Sequence, residues 1–404
     1  MNLGSVCDVV AGQSPQGKYY NTDGDGLPFY QGKKEFGERF IGKPVKWTTN
    51  VTKKAIEGDI LMSVRAPVGP INLATRDICI GRGLAAIRPH ENELDRDFLY
   101  YYLMFKQSDI AGNEGAVFAS INKSQIEAIG VPLPKLDMQK RVVDILDKAF
   151  EGIHKAIVNT EQNLANAREL LFSELNRIFT QDNDGWAAKK LSSIVDISHG
   201  FAFKGKDFDV SCDDSKPIVL TPGNYSEDGG LSFTSRNTKR LLTGVVPEGY
   251  QFATGELTIV MTDLSPKMKI LGMPAFVDTD NLLHNQRIGR IHFKCDDVAP
   301  RYLYYFLQSK RVSDNIKLTA TGTMVRHTAP CRILSNFIAY PDSKREQQRI
   351  ITKLDELGEF SNRLVSTYLD KFDSLRLLKQ AVMHKAFAGE LSRSGGCLHK
   401  VIVG

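Results

Sequence analysis

Residues 139–179 read QKRVVDILDKAFEGIHKAIVNTEQNLANARELLFSELNRIF, and the spacing of apolar residues in this stretch decides the architecture. Val142, Leu146, Ala149, Ile153, Ile157, Thr160, Leu164, Ala167, Leu171, Leu175 and Ile178 step by three or four. That is the seam of a long amphipathic helix built to pair with another. The partner lies in the same chain. Residues 347–387 carry Ile350, Leu354, Leu357, Leu364, Tyr368, Phe372, Leu375, Leu378, Val382 and Ala386 near equivalent positions. Arg141/Arg349, Leu146/Leu354, Asp147/Asp355, Arg168/Arg376 and Phe179/Phe387 are all 208 apart, so nothing has been inserted between the copies. At 1.5 Å per residue each copy makes a rod of roughly 60 Å. Loops absorb length changes cheaply, so a long segment repeated without one reads as a spacer of defined length. The plainer alternative is a structural helix in a large enzyme.

The repeat extends upstream. Leu3, Ser5, Val6, Asp8, Val9 and Gly12 recur at an offset of 188 as Leu191, Ser193, Ile194, Asp196, Ile197 and Gly200. Residues 98–103 (FLYYYL) recur at 204 as residues 302–307 (YLYYFL), while Gly115/Gly322 and Pro134/Pro341 differ by 207. The drift places all insertions in the region before each helix. The chain is therefore expected to hold a first globular domain over 1–138, a spacer helix over 139–181, a second domain over 186–344, a second helix over 345–391 and a tail over 392–404. Residues 182–185 (DNDG) form the polar linker between the halves. Each domain reads as mixed α/β. In the first, 6–10, 59–65 and 78–88 have strand character. Residues 97–106 have helix character, with Phe98, Tyr101, Tyr102 and Phe105 on one face that is expected in the core rather than stacked on bases. The polar stretches 22–52 and 213–254 are expected to be loop-rich.

The chain has 404 residues and a formal charge of +5, with 42% hydrophobic and 25% charged residues, an ordinary composition for a globular protein. No apolar run approaches membrane-spanning length and Met1 leads into no secretion signal, so a cytoplasmic protein without a membrane span is expected. The six cysteines are scattered without a C-x-x-C pair, which fits reduced thiols better than disulfides or a metal site. Residues 1–138 hold 16 basic and 16 acidic side chains, and 186–341 hold 19 and 15. Bulk charge therefore builds no nucleic-acid surface; local placement must. Residues 33–54 contain Lys33, Lys34, Arg39, Lys43, Lys46, Lys53 and Lys54 against only Glu35 and Glu38.

The motifs of catalysis are missing. Gly12-x4-Gly17-Lys18 has the outline of a phosphate-binding P-loop and recurs as Gly200-x4-Gly205-Lys206, with a third match at Gly37-x4-Gly42-Lys43. The residues after the lysines are Tyr19, Asp207 and Pro44, so none supplies the hydroxyl that ligates Mg²⁺. These read as glycine-permitted loops whose lysines and amides can meet DNA phosphates. An amino-methyltransferase needs an Asn/Asp-Pro-Pro-aromatic segment, and the chain has no Pro-Pro. Pro341-Asp342 with Lys344 lacks the second acidic residue of a nuclease and sits where a turn opens the second helix, with Asp342 or Ser343 as its cap.

Several stretches carry a family resemblance: residues 58–69 (GDILMSVRAPVG), 79–83 (CIGRG), 115–123 (GAVFASINK), 131–134 (VPLP) leading into 139–142 (QKRV), then 346–350 (EQQRI) and 385–391 (KAFAGEL). They resemble the specificity subunit of type I restriction–modification systems. The second domain departs more, with Gly255-Glu-Leu-Thr in place of Gly58-Asp-Ile-Leu and no counterpart of 79–83. The resemblance implies two α/β target-recognition domains separated by two long antiparallel helices, a coiled-coil spacer with pseudo-two-fold internal repeat. Each domain would read one half of a split double-stranded DNA target, with the helices setting the spacing. The chain would be non-catalytic, without cofactor or metal of its own. It would scaffold two modification subunits, which bring S-adenosylmethionine, and restriction subunits, which bring ATP and Mg²⁺, in defence against foreign DNA. The competing readings are a DNA-modifying or DNA-cleaving enzyme with built-in recognition, and a coiled-coil adaptor that binds proteins.

Candidate DNA-binding residues follow from charge and loop position. They are Lys33, Lys34, Arg39, Lys43, Lys46, Lys53, Lys54, Arg65, Arg82 and Lys123 in the first domain, and Lys204, Lys206, Arg236, Lys239, Arg240, Lys267 and Lys269 in the second. A solvated loop face is the alternative for each.

Overall fold

The computed structural model describes all residues except 112–119, 181–184, 210–214, 228, 242–247 and 389–404. The Gly115 side of one repeat match, most of the polar linker and the tail lie outside the described residues. The chain divides into two units, Met1–Thr160 with Lys371–Gly404 and Glu161–Asp370, so each unit holds one globular domain and a portion of both long helices.

In the first unit the strands are β1 (Cys7–Ala11), β2 (Tyr20–Asn21), β3 (Leu27–Tyr30), β4 (Trp47–Thr48), β5 (Lys54–Ala55), β6 (Ile60–Ser63), β7 (Ile71–Leu73), β8 (Ile78–Ile80) and β9 (Leu84–Pro89). They form an antiparallel sheet of order β1-β9-β6-β7 and a second sheet of order β2-β4-β3-β8-β5, in which β3 and β8 run parallel. The single strand expected over 78–88 is thus two strands in different sheets, broken at Gly81-Arg82-Gly83. The expected loop region 22–52 contributes β3 and β4. Helix α1 (Arg96–Phe105) begins where Asp95 accepts the amides of Asp97 and Phe98, and it buries Phe98, Tyr101 and Tyr102 as their spacing requires. α2 (Gln107–Ala111) and α3 (Lys123–Glu127) follow, the latter opened by a reciprocal Asn122–Gln125 cap. The long helix α4 covers Leu136–Thr180.

The second unit holds β10 (Ala187–Lys190), α5 (Leu191–Ile194), β11 (Val195–His199), β12 (Phe208–Asp209), β13 (Ile218–Leu220), β14 (Arg240–Leu241), β15 (Leu257–Val260), β16 (Thr262–Asp263), β17 (Pro274–Phe276), β18 (Leu282–His284) and β19 (Ile288–Phe293). Then come α6 (Pro300–Gln308), α7 (Lys310–Leu318), β20 (Arg326–His327), α8 (Pro330–Leu334), β21 (Phe337–Tyr340) and α9 (Lys344–Phe387). The sheet β11-β19-β15-β17 has the strand order of β1-β9-β6-β7, and β13 pairs with β18 in parallel as β3 does with β8. Element starts are offset by 188 (7 to 195), 204 (84 to 288 and 96 to 300), 207 (123 to 330) and 208 (136 to 344), so the drift found in the sequence belongs to the loops.

The long helices pack antiparallel within each unit. In the first, Val142, Val143 and Leu146 share a core with Ala386, and the Lys379 ammonium lies 5.1 Å from the Phe150 ring centre. In the second, Ser361 Oγ donates to the Ala167 carbonyl at 2.6 Å and Lys353 Nζ meets Glu174 at 2.7 Å. As numbers rise along α4, those of its partners on α9 fall. The first seam is buried at Val142, Leu146, Ala149, Ile153, Thr160, Ala167, Leu175 and Ile178. The second is buried at Leu354 and Ala386 as expected and adds Ile351 and Met383, whereas Leu378 is 37% exposed. Ser343 rather than Asp342 caps α9, accepting the Glu346 amide.

Candidate nucleic-acid interface

The basic residues of the first domain separate into groups. Four segments meet beside the paired strands β3 and β8. The amide of Gly12 donates to Leu84 O at 2.9 Å and that of Gln13 to Ile80 O at 3.0 Å, while Gly83 donates to Gln31 O at 3.1 Å and Ile80 to Lys53 O at 2.9 Å. Ser14 Oγ ties the segments further, donating to Gln31 Oε1 at 2.9 Å and accepting the Arg82 amide at 3.2 Å. Glycine permits this approach: a Cβ on Gly12 would stand 2.2 Å from the Gly81 carbonyl, and one on Gly83 2.5 Å from that of Gln31. The meeting edge exposes Gln13, Gln31, Lys53 and Arg82, with Lys33 and Lys34 on the helical turn that follows. Donors, acceptors and cations gathered on one edge suit phosphate and base edges together.

The remaining candidates are elsewhere. Lys46 lies 5.8 Å from the Tyr20 ring, which stacks on Phe29; Lys43 is exposed on the returning loop. Lys54 is committed to Asp77 at 2.6 Å. Arg65 is exposed and its backbone bridges to Ser120, and Lys123 faces Glu127 at 3.5 Å. Arg39 turns inward. Its guanidinium meets Asp97 at 3.0 Å and Asp147 at 2.9 Å, donates to the Tyr101 hydroxyl at 3.3 Å, and lies over the Tyr100 and Tyr101 rings. Burial opposes its charge, but Tyr101, Asp147 and Asp97 outweigh burial and hold the pKa above the usual arginine value. Asp97 is held below the usual carboxylate range by Arg96 and Arg39 despite its own burial.

In the second domain Gly200 makes the same close approach, since its Cβ would stand 2.4 Å from the His284 and Asn285 carbonyls. The following Phe201 is 40% exposed and stacks edge-on against Phe203 and Tyr250, with Lys204 and Lys206 exposed beyond it. Lys239 lies 5.4 Å from the Phe208 ring and Arg240 donates to the Lys216 carbonyl at 2.7 Å, while Arg236 is exposed on the preceding turn. Lys267 and Lys269 share a loop pinned by buried Asp263, which accepts the Ser265 and Ile270 amides; Lys269 pairs with Glu227 at 2.7 Å. Charge counting missed Gln286 and Arg287, which occupy the break between β18 and β19 where the first domain has Arg82 and Gly83. The offset of 204 that relates the flanking strands would have found them. Arg326 was not among the candidates either; it lies on β20, whose His327 Nδ1 approaches Thr262 Oγ1 of β16 at 3.0 Å.

Among the described residues no group of three or more His, Cys, Asp and Glu side chains is placed to hold a metal ion, and no helix is long and apolar enough to cross a membrane. The first two P-loop-like segments end in short helical turns, Gly17–Tyr19 and Gly205–Asp207, and the third spans a turn between the bridged residues Phe36 and Ile41, so none is a phosphate-cradling loop opening a long helix.

Comparison with known proteins gives a consistent result. The family model of the type I restriction modification DNA specificity domain matches residues 1–161. The MjaX specificity-subunit sequence of Methanocaldococcus jannaschii is 39% identical over 168 residues, 41% of this chain and 39% of that relative's length. The type I restriction enzyme MjaVIII specificity subunit of the same organism is 23% identical over 367 residues, covering 84% of this chain and 81% of that one. Two solved structures share the fold at 16% identity. One, from work on assembly and conformational transition of the type I R-M system, superposes with a TM-score of 0.75 over 96% of this chain and 97% of that one. The HsdS subunit from Thermoanaerobacter tengcongensis gives 0.56 over 96% of each chain.

Proposed function

The chain belongs to the specificity-subunit family of type I restriction–modification systems, and from that premise we propose that it reads a bipartite double-stranded DNA target, one half with each globular domain. The observation that carries this reading is the duplicated recognition-type domain, with the same strand order in each copy, attached to a helix pair free of insertions. Two such domains joined through a long helix pair suit two separated half-sites better than one continuous site. The exposed edge of Gln13, Gln31, Lys53 and Arg82, with Lys33 and Lys34, supplies polar readers flanked by phosphate-neutralising cations. In the second domain Lys204, Lys206, Arg236, Lys239, Arg287 and Lys267 would take the corresponding role, joined by Phe201 and Gln286. The helix pair would set the gap between half-sites.

The chain itself would do no chemistry. It would act in the cytoplasm with two modification subunits carrying S-adenosylmethionine and with restriction subunits carrying ATP and Mg²⁺. Selection of bound sequences from random duplex DNA by the full chain tests the reading. Two short half-sites at a fixed gap are expected; one continuous motif, or no enrichment at any salt concentration, would overturn it. Methylation of DNA by the chain alone, free of any co-purifying partner, would restore the enzyme reading.

A further inference from the structure

The basic loop of the first domain is tied to the helices by two adjacent residues. Arg39 reaches Asp97 on α1 and Asp147 on α4, and the Tyr101 hydroxyl, itself bonded to Asp147, completes the cluster. Glu38 faces His154 of α4 at 3.3 Å and Lys379 of α9 at 3.8 Å, and its carbonyl accepts the Tyr100 hydroxyl at 3.4 Å. The Glu38 side chain is 63% exposed, so its pairs add little. The Arg39 side chain is 29% exposed, has two carboxylate partners and lies over two rings, and it dominates the attachment. The backbone is held there too: Leu73 donates to the Arg39 carbonyl at 2.8 Å, and Ile41 to that of Leu73 at 3.0 Å.

The second unit keeps the carboxylate and changes the source of the cation. Asp355 corresponds to Asp147 at the offset of 208, and Tyr305 to Tyr101 at 204. Tyr305 donates to Asp355 at 2.5 Å, but the arginine is Arg301, on α6 itself. An arginine within α6 fastens a helix to a helix; an arginine from a loop fastens a basic segment to a long helix.

We propose that Arg39 is a positioning residue for target recognition: through Asp97 and Asp147 it fixes the loop bearing Lys33, Lys34, Lys43 and Lys46 to the helices, and so determines how the first domain's basic surface is presented for a given half-site gap. This rests on the bipartite reading proposed above and assigns Arg39 away from direct DNA contact. Loss of the tether would let the loop reorient, so DNA with a neighbouring gap length would be accepted while the bases preferred within each half-site stay the same. General destabilisation would instead weaken all sequences alike.

The test uses the full-length chain with three variants: Arg39→Ala, Arg39→Lys and the double substitution Asp97→Asn/Asp147→Asn. Hydrogen exchange at residues 36–41 is measured without DNA, and affinity is measured on duplexes with fixed half-sites and gaps varied one base pair at a time. Arg39→Ala and the double carboxamide variant are both expected to speed exchange in 36–41 and to lower the preference for the best gap by about 2- to 10-fold, with Arg39→Lys recovering part of each. If Arg39→Ala weakens binding equally at every gap and reduces its salt dependence while the carboxamide variant binds normally, Arg39 touches DNA and the proposal fails. Unchanged exchange at 36–41 also overturns it, and does so whether or not the protein prefers any gap. A wild-type chain with no gap preference would refute the bipartite reading and, with it, the role proposed for the tether.

Discussion

Gln347 Oε1 accepts the backbone amide of Ala299 at 2.9 Å. Its Nε2 donates to the carbonyls of Asp297 at 2.8 Å and Pro341 at 2.9 Å. Gln139 does the same 208 residues earlier, accepting from Asp95 at 2.8 Å and donating to Glu93 at 2.9 Å and Pro134 at 2.8 Å. Both side chains are fully buried. Each long helix is thus pinned at its start to the turn that opens α1 or α6. Replacing either glutamine by leucine leaves one buried amide and two carbonyls without a partner, and each orphan costs about 1–3 kcal/mol. Gln139→Leu and Gln347→Leu are each expected to lower the stability of their own unit by at least about 2 kcal/mol, measured as a shift in urea midpoint followed by probes in each domain.

Neutralising Lys33, Lys34, Lys53 and Arg82 together should weaken DNA binding and reduce the slope of log K against log salt by about 0.9 for each phosphate no longer neutralised. Lys54→Gln alone should change the slope little, since its ammonium is already paired with Asp77. A salt titration of the quadruple and the single variant separates the exposed edge from the paired lysine. An unaltered slope for the quadruple variant would remove this edge from the interface.

His284 is buried with Nε2 at 2.8 Å from the Ile288 carbonyl, and burial, helped by Arg290, His292 and His199, depresses its pKa to about 4. The folded state therefore binds its proton less readily than the unfolded chain. The resulting stabilisation is complete above about pH 6.5 and is lost as pH falls from there to about 4, up to about 3 kcal/mol in all. The first domain has Ile80 at the matching position. Acid between these limits should destabilise the second domain more than the first, and His284→Leu should flatten that extra dependence in thermal unfolding.

Helix partners whose numbers add to about 528, such as Ala167 with Ser361 and Glu174 with Lys353, identify where matched insertions belong. One heptad after Ala156 and another at the facing Phe372 should preserve pairing and lengthen the rod by about 10 Å. The preferred gap should grow by about 3 bp at 3.4 Å per pair with half-site sequences unchanged. A folded double insertion that still selects the original gap would show that the helices are not the ruler.

The long helices, the duplication and the burial of the α1 aromatics were legible in the sequence because each rests on local periodicity or a constant offset. Spacing of three and four puts Val142, Leu146 and Ala149 on one face whatever else the chain does. The domain interiors were less legible. The parallel pairing of β3 with β8 joins Phe29 to Cys79 and Tyr30 to Ile80, and nothing in either segment specifies its partner. Arg39 shows the limit most clearly. In sequence it is one of seven cations in 33–54; in the fold its partners come from 58 and 108 residues away and turn it inward. Lys53 and Arg82 lie far apart in the chain and reach one edge because glycines let four backbones crowd together. Periodicity is a property of neighbours along the chain, so the sequence by itself determined the long helices and the repeat. The direction of a charged side chain is decided by burial and by distant carboxylates, and only the tertiary structure supplied those.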